Sequence, residues 1–281
     1  MALTAEDCGF DSIWLGDHLL YRDPGGSTRG PWEAWSVLAA LGEATERVEL
    51  GPLVASTAFH TPAMLAKKAA TVDEISDGRL ILGIGAGWNR TEFEAFGFPY
   101  DHRASRFEEA FTIIRTLIRK GAIDLTGDYY QVREMELVPR ARPDMKILVG
   151  SNGPRLLRAT MAHADMWNTW HLDYGNRAAG LVPLMARVDE ACAAVGRDPG
   201  RVEKTAAVYV QLSRGEGRRA GSREKQDSPP IRGSHEEIAA ELRAFDDLGL
   251  AHVQVVLDPI DARGVEELAE IVRLLRIGSG A

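Results

Sequence analysis

Apolar residues along this chain follow two alternating patterns. Short runs rich in valine, isoleucine and leucine, typical of buried strands, are separated by longer stretches in which apolar residues recur every three or four positions. Strands are predicted at Asp11–Leu15, Val48–Val54, Arg79–Gly85, Lys146–Gly150, Met166–Thr169, Val202–Val210 and Val253–Leu257. Helices are predicted at Trp32–Ala44, Pro62–Ile75, Arg103–Lys120, Pro154–His163, Arg177–Val195, His235–Leu248 and Val265–Leu275. The alternation is typical of a parallel sheet joined by right-handed helical crossovers.

Two segments interrupt this alternation. In Ala122–Val132, the residues Thr126–Asp128 separate two short apolar or aromatic runs, which predicts a hairpin outside the sheet. Residues Ser213–Pro230 are rich in glycine, arginine, serine and proline and nearly free of large apolar side chains, so we predict a mobile insertion there. No fixed-period repeat is visible, and residues 1–281 are interpreted as a single domain.

Composition narrows the classes of protein that fit. The chain has 45% hydrophobic and 26% charged residues, which is typical of a globular protein with a large core. Its formal net charge of −8 provides no general basic field for nucleic acid, and no stretch approaches the ~20 apolar residues of a membrane span. Cys8 and Cys192 are too few for a disulfide framework. We therefore predict a cytoplasmic protein that binds neither nucleic acid nor membranes, and we expect a homodimer.

Two glycine-rich segments follow predicted strands and are candidates for binding a phosphate. At Gly83–Gly87, backbone amides can approach an anion without an intervening side chain, although tight packing at a strand end explains the pattern equally well. At Gly150–Pro154, Ser151 can both cap the next helix and donate to an anion. If the two strands are neighbours in a barrel, both loops open on its carboxyl-terminal face and form one site.

Asp17 and His18 directly follow the first predicted strand, where barrel enzymes carry their catalytic groups. An imidazole there can donate to a cofactor or transfer a proton near neutral pH. The alternative is structural: Asp17 orients His18, and both fasten the loop. The remaining histidines considered, which lack the spacing of a metal site, are His60, His163, His171 and His252. No metal is predicted.

Together these motifs resemble the luciferase-like monooxygenase superfamily over nearly the whole chain. The resemblance rests on an ordered series of matches: Gly9–Trp14, Asp17–His18, Leu50–Val54, Pro62, Lys67, Asp73, Ser76, Gly78, Arg79, Gly85–Asn89, Glu92, Phe93, Gly97, Arg103, Arg106, Glu109, Gly150–Gly153 and Ala164–Asn168. It implies a TIM-type (β/α)₈ barrel of the bacterial-luciferase type that binds FMN or coenzyme F420 at its carboxyl-terminal face. Because barrels of this family begin one strand earlier than Asp11–Leu15, the resemblance also implies a first strand upstream of Met1.

The resemblance further implies roles for particular residues. His18 would approach the cofactor ring as the catalytic residue, and a non-prolyl cis peptide would fall at Leu53–Val54 or Val54–Ala55. Two positions depart from characterised members: Ala86 stands where bacterial luciferase has an arginine, and Trp88 where F420-dependent sugar-phosphate dehydrogenases have a glutamate. Neither specific reaction is therefore assigned, and the missing arginine slightly favours F420 over FMN. The full predicted cofactor-binding set is Asp17, Leu53, Val54, Ala55, Ser56, Gly85, Ala86, Gly87, Trp88, Ser151, Asn152 and Gly153.

Three hypotheses about function follow from this resemblance. The first is an oxidoreductase that moves hydride between a bound flavin or F420 and a small organic substrate, or that uses O₂ for monooxygenation. The second is a non-catalytic flavin- or F420-binding protein, which would keep the same loops without turnover. The third is a barrel lyase or isomerase acting on a sugar phosphate, which would bind no flavin.

Overall fold

A computed structural model describes residues 1–23, 25–217 and 228–278, with side chains described up to residue 275. The strands are β1 (Ser12–Leu15), β2 (Tyr21–Arg22), β3 (Thr28–Arg29), β4 (Glu49–Pro52), β5 (Ala55–Ser56), β6 (Leu82–Gly85), β7 (Ala122–Thr126), β8 (Gln131–Glu136), β9 (Ile147–Val149), β10 (Met166–Trp170), β11 (Glu203–Gln211) and β12 (His252–Asp258). The helices are α1 (Ala2–Asp7), α2 (Ala34–Ala44), α3 (Pro62–Ile75), α4 (Arg90–Phe96), α5 (Arg103–Lys120), α6 (Pro154–Thr160), α7 (Ala178–Ala194), α8 (His235–Asp246) and α9 (Ala262–Gly278). Short 3-10 helices lie at Thr57–Phe59, His171–Asp173 and Pro199–Arg201.

The barrel wall consists of parallel strands in the order in which the chain supplies them. Strand β1 pairs with β4, and the remaining wall strands form one sheet in the order β12-β11-β10-β9-β6-β5. A parallel bridge between Leu50 and Leu80 joins the two sheets. Because β4 and β5 share one position in the wall, the described residues supply seven wall positions, which are the seven that the sequence predicts.

Within the described residues, strands β12 and β1 are not paired through their backbones, so the wall is not closed between them. Side chains meet across this boundary instead, because Ser12 Oγ lies 2.8 Å from His252 Nε2. The expectation of a strand preceding β1 stays a prediction.

Side chains alternate between the two faces of the wall, as in other parallel sheets that are buried on both sides. In β11, Val208 and Val210 pack in the large core between wall and helices, whereas Ala207 and Tyr209 belong to a small cluster inside the barrel. The apolar stripe of α5 is buried as predicted. The barrel interior is therefore a packed core and not a channel, as in other barrels of this type.

The largest difference from the predicted strands occurs at Val48–Val54. Strand β4 ends at Pro52 and β5 begins at Ala55, and the Leu53–Val54 peptide between them is cis. The expected position of a non-prolyl cis peptide is thus confirmed at the first of its two candidate bonds.

The segments outside the wall were predicted less accurately. The hairpin predicted at Ala122–Val132 is confirmed but extends to Glu136, and three backbone N–H groups at residues 128–130 donate to Glu109. Helix α2 begins at Ala34, so its predicted start at Trp32 is wrong, because the Glu33 carboxylate caps the helix by accepting from the N–H groups of Trp35 and Ser36. The hairpin β2–β3 and helix α4 were missed.

The predicted mobile insertion at residues 213–230 falls largely outside the described residues, which omit 218–227. Its described ends are held by side chains: Arg214 pairs with Asp261 at 3.1 Å, and Ser228 Oγ donates to the His171 carbonyl at 3.0 Å. In the part of the chain that the structure describes, no helix is long and apolar enough to cross a membrane.

Candidate active site

His18, on the loop after β1, is held by a carboxylate that the sequence interpretation gave no role. Glu92 lies in α4, and its Oε2 is 3.0 Å from His18 Nδ1. The same carboxylate accepts from the N–H groups of Leu19 and Leu20 at 2.6 and 3.3 Å. Burial by itself would raise the pKa of Glu92, but the hydrogen bonds from His18, Leu19 and Leu20 outweigh it and hold the pKa below its usual value.

This pairing fixes the tautomer of His18. Because an ionised carboxylate can only accept hydrogen bonds, Nδ1 of His18 must carry the proton that faces Glu92. The Glu92 side chain is 1% exposed and that of His18 is 25% exposed. The other nitrogen, Nε2, has no hydrogen-bond partner among the described residues, so this partly exposed imidazole is in an arrangement that suits a proton donor or acceptor.

Two aromatic rings flank His18. The Tyr21 ring lies 4.9 Å from the imidazole and the Trp88 ring 5.7 Å from it, measured between ring centroids. The Arg29 guanidinium lies over the other side of Tyr21 at 4.7 Å. Flat apolar surfaces of this kind suit an aromatic ligand and limit the access of water.

The other five tryptophans of the chain are divided between the core, the barrel interior and the surface. Trp35 and Trp167 are buried in the large core, Trp14 packs inside the barrel and Trp32 is 88% exposed. Trp170 ends β10 and lies at the carboxyl-terminal face, 5.0 Å from the His171 ring. Trp88 and Trp170 are thus placed at this face, beside the His18 and His171 rings.

Asp17 points away from the mouth, into the wall. Its Oδ2 accepts from the N–H of Ser56 at 3.0 Å and lies 3.2 Å from His60 Nε2. The side chains of Asp17 and His60 are 2% and 9% exposed. Asp17 therefore connects the loop after β1 to strand β5, and His18 alone of the Asp17-His18 pair faces the mouth.

The Leu53–Ser56 bend positions Val54 over the neighbouring strands. A Cβ atom built on Gly85 would lie 2.7 Å from Val54 Cγ2, and one on Gly150 would lie 3.0 Å from both Val54 methyls. These glycines are needed because Val54 packs against them, so their identity alone is no evidence for a phosphate. Packing is the alternative that the sequence left open for Gly83–Gly87; the structure supports it for Gly85, and Gly150 is packed in the same way.

The other residues at this bend that were predicted to bind the cofactor place their side chains on different sides of the wall. Leu53 packs with Trp170 and Tyr209 inside the barrel, whereas the Ala55 side chain is buried in the core under the helices. Only the backbone of Ala55 is thus placed to meet a ligand. At Gly87, φ is +74° and a Cβ would lie 2.5 Å from Ser56 Oγ, so this position requires glycine for two reasons.

The loop Ser151–Gly153 leads into α6 on the same face. A Cβ on Gly153 would have only Ser151 Oγ within 4.0 Å, so space is open beside this residue. The Asn152 amide donates to Thr169 Oγ1 at 2.8 Å and to Asp173 Oδ2 at 3.0 Å. Because the Asp173 carboxylate requires a donor, the orientation of the Asn152 amide is fixed with its oxygen on the other side.

An arginine reaches the Gly85–Gly87 loop from a different element. Arg103, in the first turn of α5, donates from Nη1 to the Gly87 carbonyl at 2.7 Å, and its guanidinium lies 4.3 Å from the Tyr100 ring centroid. Position 86 carries alanine, but Arg103 brings a positive charge to the same loop. The absence of an arginine at position 86 therefore no longer weighs against FMN.

The opposite side of the mouth is formed by β10, β11 and β12. The His171 ring lies between those of Trp170 and Tyr209, at 5.0 and 5.3 Å. The Tyr209 hydroxyl donates to Asp258 Oδ2 at 3.3 Å, and the Gly217 N–H donates to the same oxygen at 2.7 Å. This side offers an aromatic and polar surface facing the glycine loops.

The residues present fit a phosphate-bearing aromatic cofactor. Ser56 Oγ and Asn152 Oδ1 are buried and have no hydrogen-bond partner among the described residues, and each lies in one of the predicted binding segments. Buried polar atoms are normally paired, so unpaired ones indicate a ligand or ordered water. Among the described residues, no three histidine, cysteine, aspartate or glutamate side chains are grouped as a metal site would require.

Sequence reasoning missed Glu92 and Arg103 as site residues, although both stood in the motifs of the resemblance. The available signal was position: Glu92 follows the Gly85–Gly87 loop within one helical turn of Asn89, and Arg103 opens the next long helix. Their positions along the chain do not by themselves show that Glu92 meets His18 or that Arg103 meets Gly87.

Comparison with known proteins defines the class. The family model described as luciferase-like monooxygenase matches residues 1–220, so this chain belongs to that family. The fold agrees: a solved F420-dependent secondary alcohol dehydrogenase, in complex with an F420-acetone adduct, superposes with a TM-score of 0.82 at 19% identity, covering 98% of this chain and 93% of that one.

Two curated relatives differ in chemistry. An F420-dependent glucose-6-phosphate dehydrogenase of Amycolatopsis mediterranei is 34% identical over 54% of this chain and 46% of its own length. The pyrimidine monooxygenase RutA of Methylorubrum extorquens is 29% identical over 89% of this chain and 66% of its own length. The chain thus spans about half the length of the first relative and less than two thirds of the second.

Proposed function

We propose that this protein is an F420- or FMN-dependent oxidoreductase of the luciferase-like class that acts on a small organic substrate. The observation that carries the proposal is the His18–Glu92 pair, with Nδ1 of His18 bound to a buried carboxylate and the imidazole partly exposed at the mouth of the barrel. A carboxylate that orients one nitrogen of a partly exposed imidazole is the arrangement expected of a histidine that transfers a proton.

Some residues of the site would bind the cofactor, and others would exclude water or transfer a proton. Backbone N–H groups of Gly85–Gly87 and Ser151–Gly153, with the Arg103 guanidinium, would bind the phosphate. Tyr21 and Trp88 would exclude water beside the ring, and His18 Nε2 would hold or move a proton there while Glu92 stabilises the protonated imidazole. When bound, the cofactor supplies hydride transfer or the reaction with O₂.

F420 remains the favoured cofactor. The proposal is supported by the relation to an F420-dependent glucose-6-phosphate dehydrogenase and by the fold of an F420-dependent alcohol dehydrogenase. The relation to a pyrimidine monooxygenase supports FMN, and Arg103 removes the earlier argument against it. The titration described below therefore has to decide between F420 and FMN.

We also propose that the protein works in the cytoplasm as a homodimer. Two free cysteines are compatible with a reducing compartment. The exposed side chains of Trp32 and Met64, beside the first turns of α2 and α3, support an association surface. Sedimentation of the purified protein at several concentrations would test the dimer, and a monomer throughout would exclude it.

The central experiment is a titration of purified protein with FMN and with F420, followed by cofactor fluorescence. Tight binding of one cofactor, and turnover of its reduced or oxidised form with a substrate panel or O₂, would support the enzyme. Stoichiometric binding without turnover across the panel would favour a binding protein instead. Binding of neither cofactor would exclude the proposal and leave a barrel lyase or isomerase.

A further inference from the structure

A second carboxylate–imidazole pair, Asp17 and His60, lies behind the first and has no role in the proposed chemistry. His60 follows the 3-10 helix Thr57–Phe59, and its Nε2 lies 3.2 Å from Asp17 Oδ2. Both side chains are nearly inaccessible, at 9% and 2% exposure. A side chain this buried is not placed to contact a ligand at the mouth, and its hydrogen bond to Asp17 gives it a route to the site.

The hydrogen-bond pattern determines which ring nitrogen of His60 carries the proton. The Nζ atom of Lys68, in α3, lies 3.4 Å from His60 Nδ1. Because an ammonium group can only donate, Nδ1 accepts, and the single ring proton is on Nε2 facing Asp17. The imidazole thus links a buried carboxylate on one side to an ammonium group on the other, and the Trp35 ring packs edge-on against it at 6.3 Å.

Asp17 transmits this restraint to the bend that shapes the mouth. Its Oδ2 accepts from the N–H of Ser56, two residues after Val54. Val54 packs against Gly85 and Gly150, and Ser56 Oγ lies beside Gly87, so both glycine loops are in contact with the bend. A displacement of Asp17 would therefore be felt in both proposed phosphate-binding loops.

From this geometry we infer that His60 is a positioning residue, which holds Asp17 and through it the Leu53–Ser56 bend in the conformation that binds the cofactor. The inference rests on the proposed function. Its chemistry is specific, because the side chain at position 60 must donate to a carboxylate and accept from an ammonium group at the same time. Among uncharged side chains of similar reach, glutamine can also do both.

The test is a cycle of variants assayed for the dissociation constant of whichever cofactor the wild-type protein binds. His60→Ala should raise the dissociation constant about tenfold, because a buried charged acceptor loses one of its donors. His60→Gln should restore most of the affinity. His235→Ala, which changes a histidine paired with Glu267 and Glu270 on the far helices, should leave the dissociation constant unchanged.

The route through Asp17 is tested by repeating His60→Ala in an Asp17→Asn background. If His60 acts through Asp17, the tenfold effect should shrink to less than about twofold in that background. The same full effect in both backgrounds would overturn the inference. Thermal unfolding of each cofactor-free variant separates affinity from stability: a lower melting temperature with an unchanged dissociation constant would make His60 merely structural.

Should His60→Ala fail to fold, His60→Gln and a Lys68→Met variant, which removes only the donor to Nδ1, decide the question. Both are expected to fold, and Lys68→Met should weaken binding less than His60→Ala does. Wild-type affinity in Lys68→Met together with much weakened binding in His60→Gln would contradict the proposed hydrogen-bond pattern. Failure of the wild type to bind either cofactor would refute the proposed function itself, a result distinct from normal wild-type binding with unaffected variants.

Discussion

The two ends of the barrel use similar residues in opposite ways. At the carboxyl-terminal mouth, His18 is bound at Nδ1 by Glu92 and its side chain is 25% exposed, and buried oxygen atoms of Ser56 and Asn152 lack partners among the described residues. At the amino-terminal floor, His252 Nε2 lies 2.8 Å from Ser12 Oγ, which itself accepts from Trp14 Nε1 at 2.7 Å. Each histidine is held by a residue from another part of the chain, but the mouth histidine pairs with a carboxylate and the floor histidine with a hydroxyl group.

The buried carboxylates at the two ends of the barrel also differ in what they bind. At the floor, Glu6 of α1 is buried and accepts from the N–H groups of Glu46, Arg47 and Val48, just before β4. At the mouth, Glu92 also accepts from backbone N–H groups, but it additionally orients His18. We therefore expect floor groups to serve stability and mouth groups to serve a ligand, in line with the division of labour in barrel enzymes.

The largest expected effect separates the two histidines by activity. His18→Ala should lower turnover about 100- to 1,000-fold, because a positioned acid–base group is lost, while the dissociation constant of the cofactor changes much less. His252→Gln is the matched control at the floor and should leave turnover near that of the wild type. Steady-state kinetics with whichever cofactor the titration identifies would measure both, and equal turnover in His18→Ala and wild type would return His18 to a structural role.

The next largest expected effect distinguishes the two glycine loops by cofactor affinity and melting temperature. Gly153→Phe should weaken cofactor binding about tenfold or more with little change in melting temperature, because the space beside Gly153 is open and faces the proposed phosphate. Gly85→Ala should lower the melting temperature as well, since its Cβ would meet Val54 Cγ2 at 2.7 Å. Fluorescence titration and thermal unfolding test this pair, and unchanged affinity in Gly153→Phe would remove Ser151–Gly153 from the site.

A smaller effect concerns Glu6 at the floor. Glu6→Ala should reduce the free energy of unfolding by about 2–3 kcal/mol, because buried N–H groups lose a charged acceptor. Hydrogen bonds from Arg47 and Val48, and to a lesser extent Glu46, lower the pKa of Glu6 from 4.5 to about 2 against the effect of burial. Since the folded-state pKa is depressed, this contribution is present above pH 4.5 and is lost as the pH falls toward 2.

Urea unfolding at pH 7 and at pH 3 measures this difference. The gap between wild type and Glu6→Ala should be smaller at pH 3, and turnover of the folded variant at pH 7 should be close to normal. An equal gap at both pH values would show that the Glu6 charge contributes nothing.

The smallest effect is a pH dependence of stability from His252. Burial lowers the pKa of His252 from 6.5 despite the nearby carboxylates of Glu49, Asp11 and Glu203, and the Lys146 ammonium lowers it further. Because the unfolded chain takes up a proton that the folded chain resists, stability is full above pH 6.5 and decreases as the pH falls below it. The melting temperature of wild type should therefore fall more between pH 7.5 and 5.5 than that of His252→Gln, and parallel curves would contradict this.

Local patterns predicted most of the framework. The alternation of apolar runs predicted the seven wall positions, and the three- and four-residue spacing of α5 predicted its buried face, because periodicity depends only on neighbouring residues. The motif series predicted the family, the cis peptide at Leu53–Val54 and the two glycine loops. Errors at element ends, such as the start of α2, arose where a side chain such as Glu33 caps a helix.

The tertiary structure alone decided which of these residues meet. His18 and Glu92 are separated by 74 positions, and Asp17 and His60 by 43, so their pairing depends on how the strands close into a wall. The same holds for Val54, whose packing explains Gly85, a glycine that sequence alone left divided between packing and phosphate binding, and also gives Gly150 a structural reason. Sequence patterns determine which face of an element is buried, but partners and free polar atoms are set by contacts between distant segments, which exist only in the closed barrel.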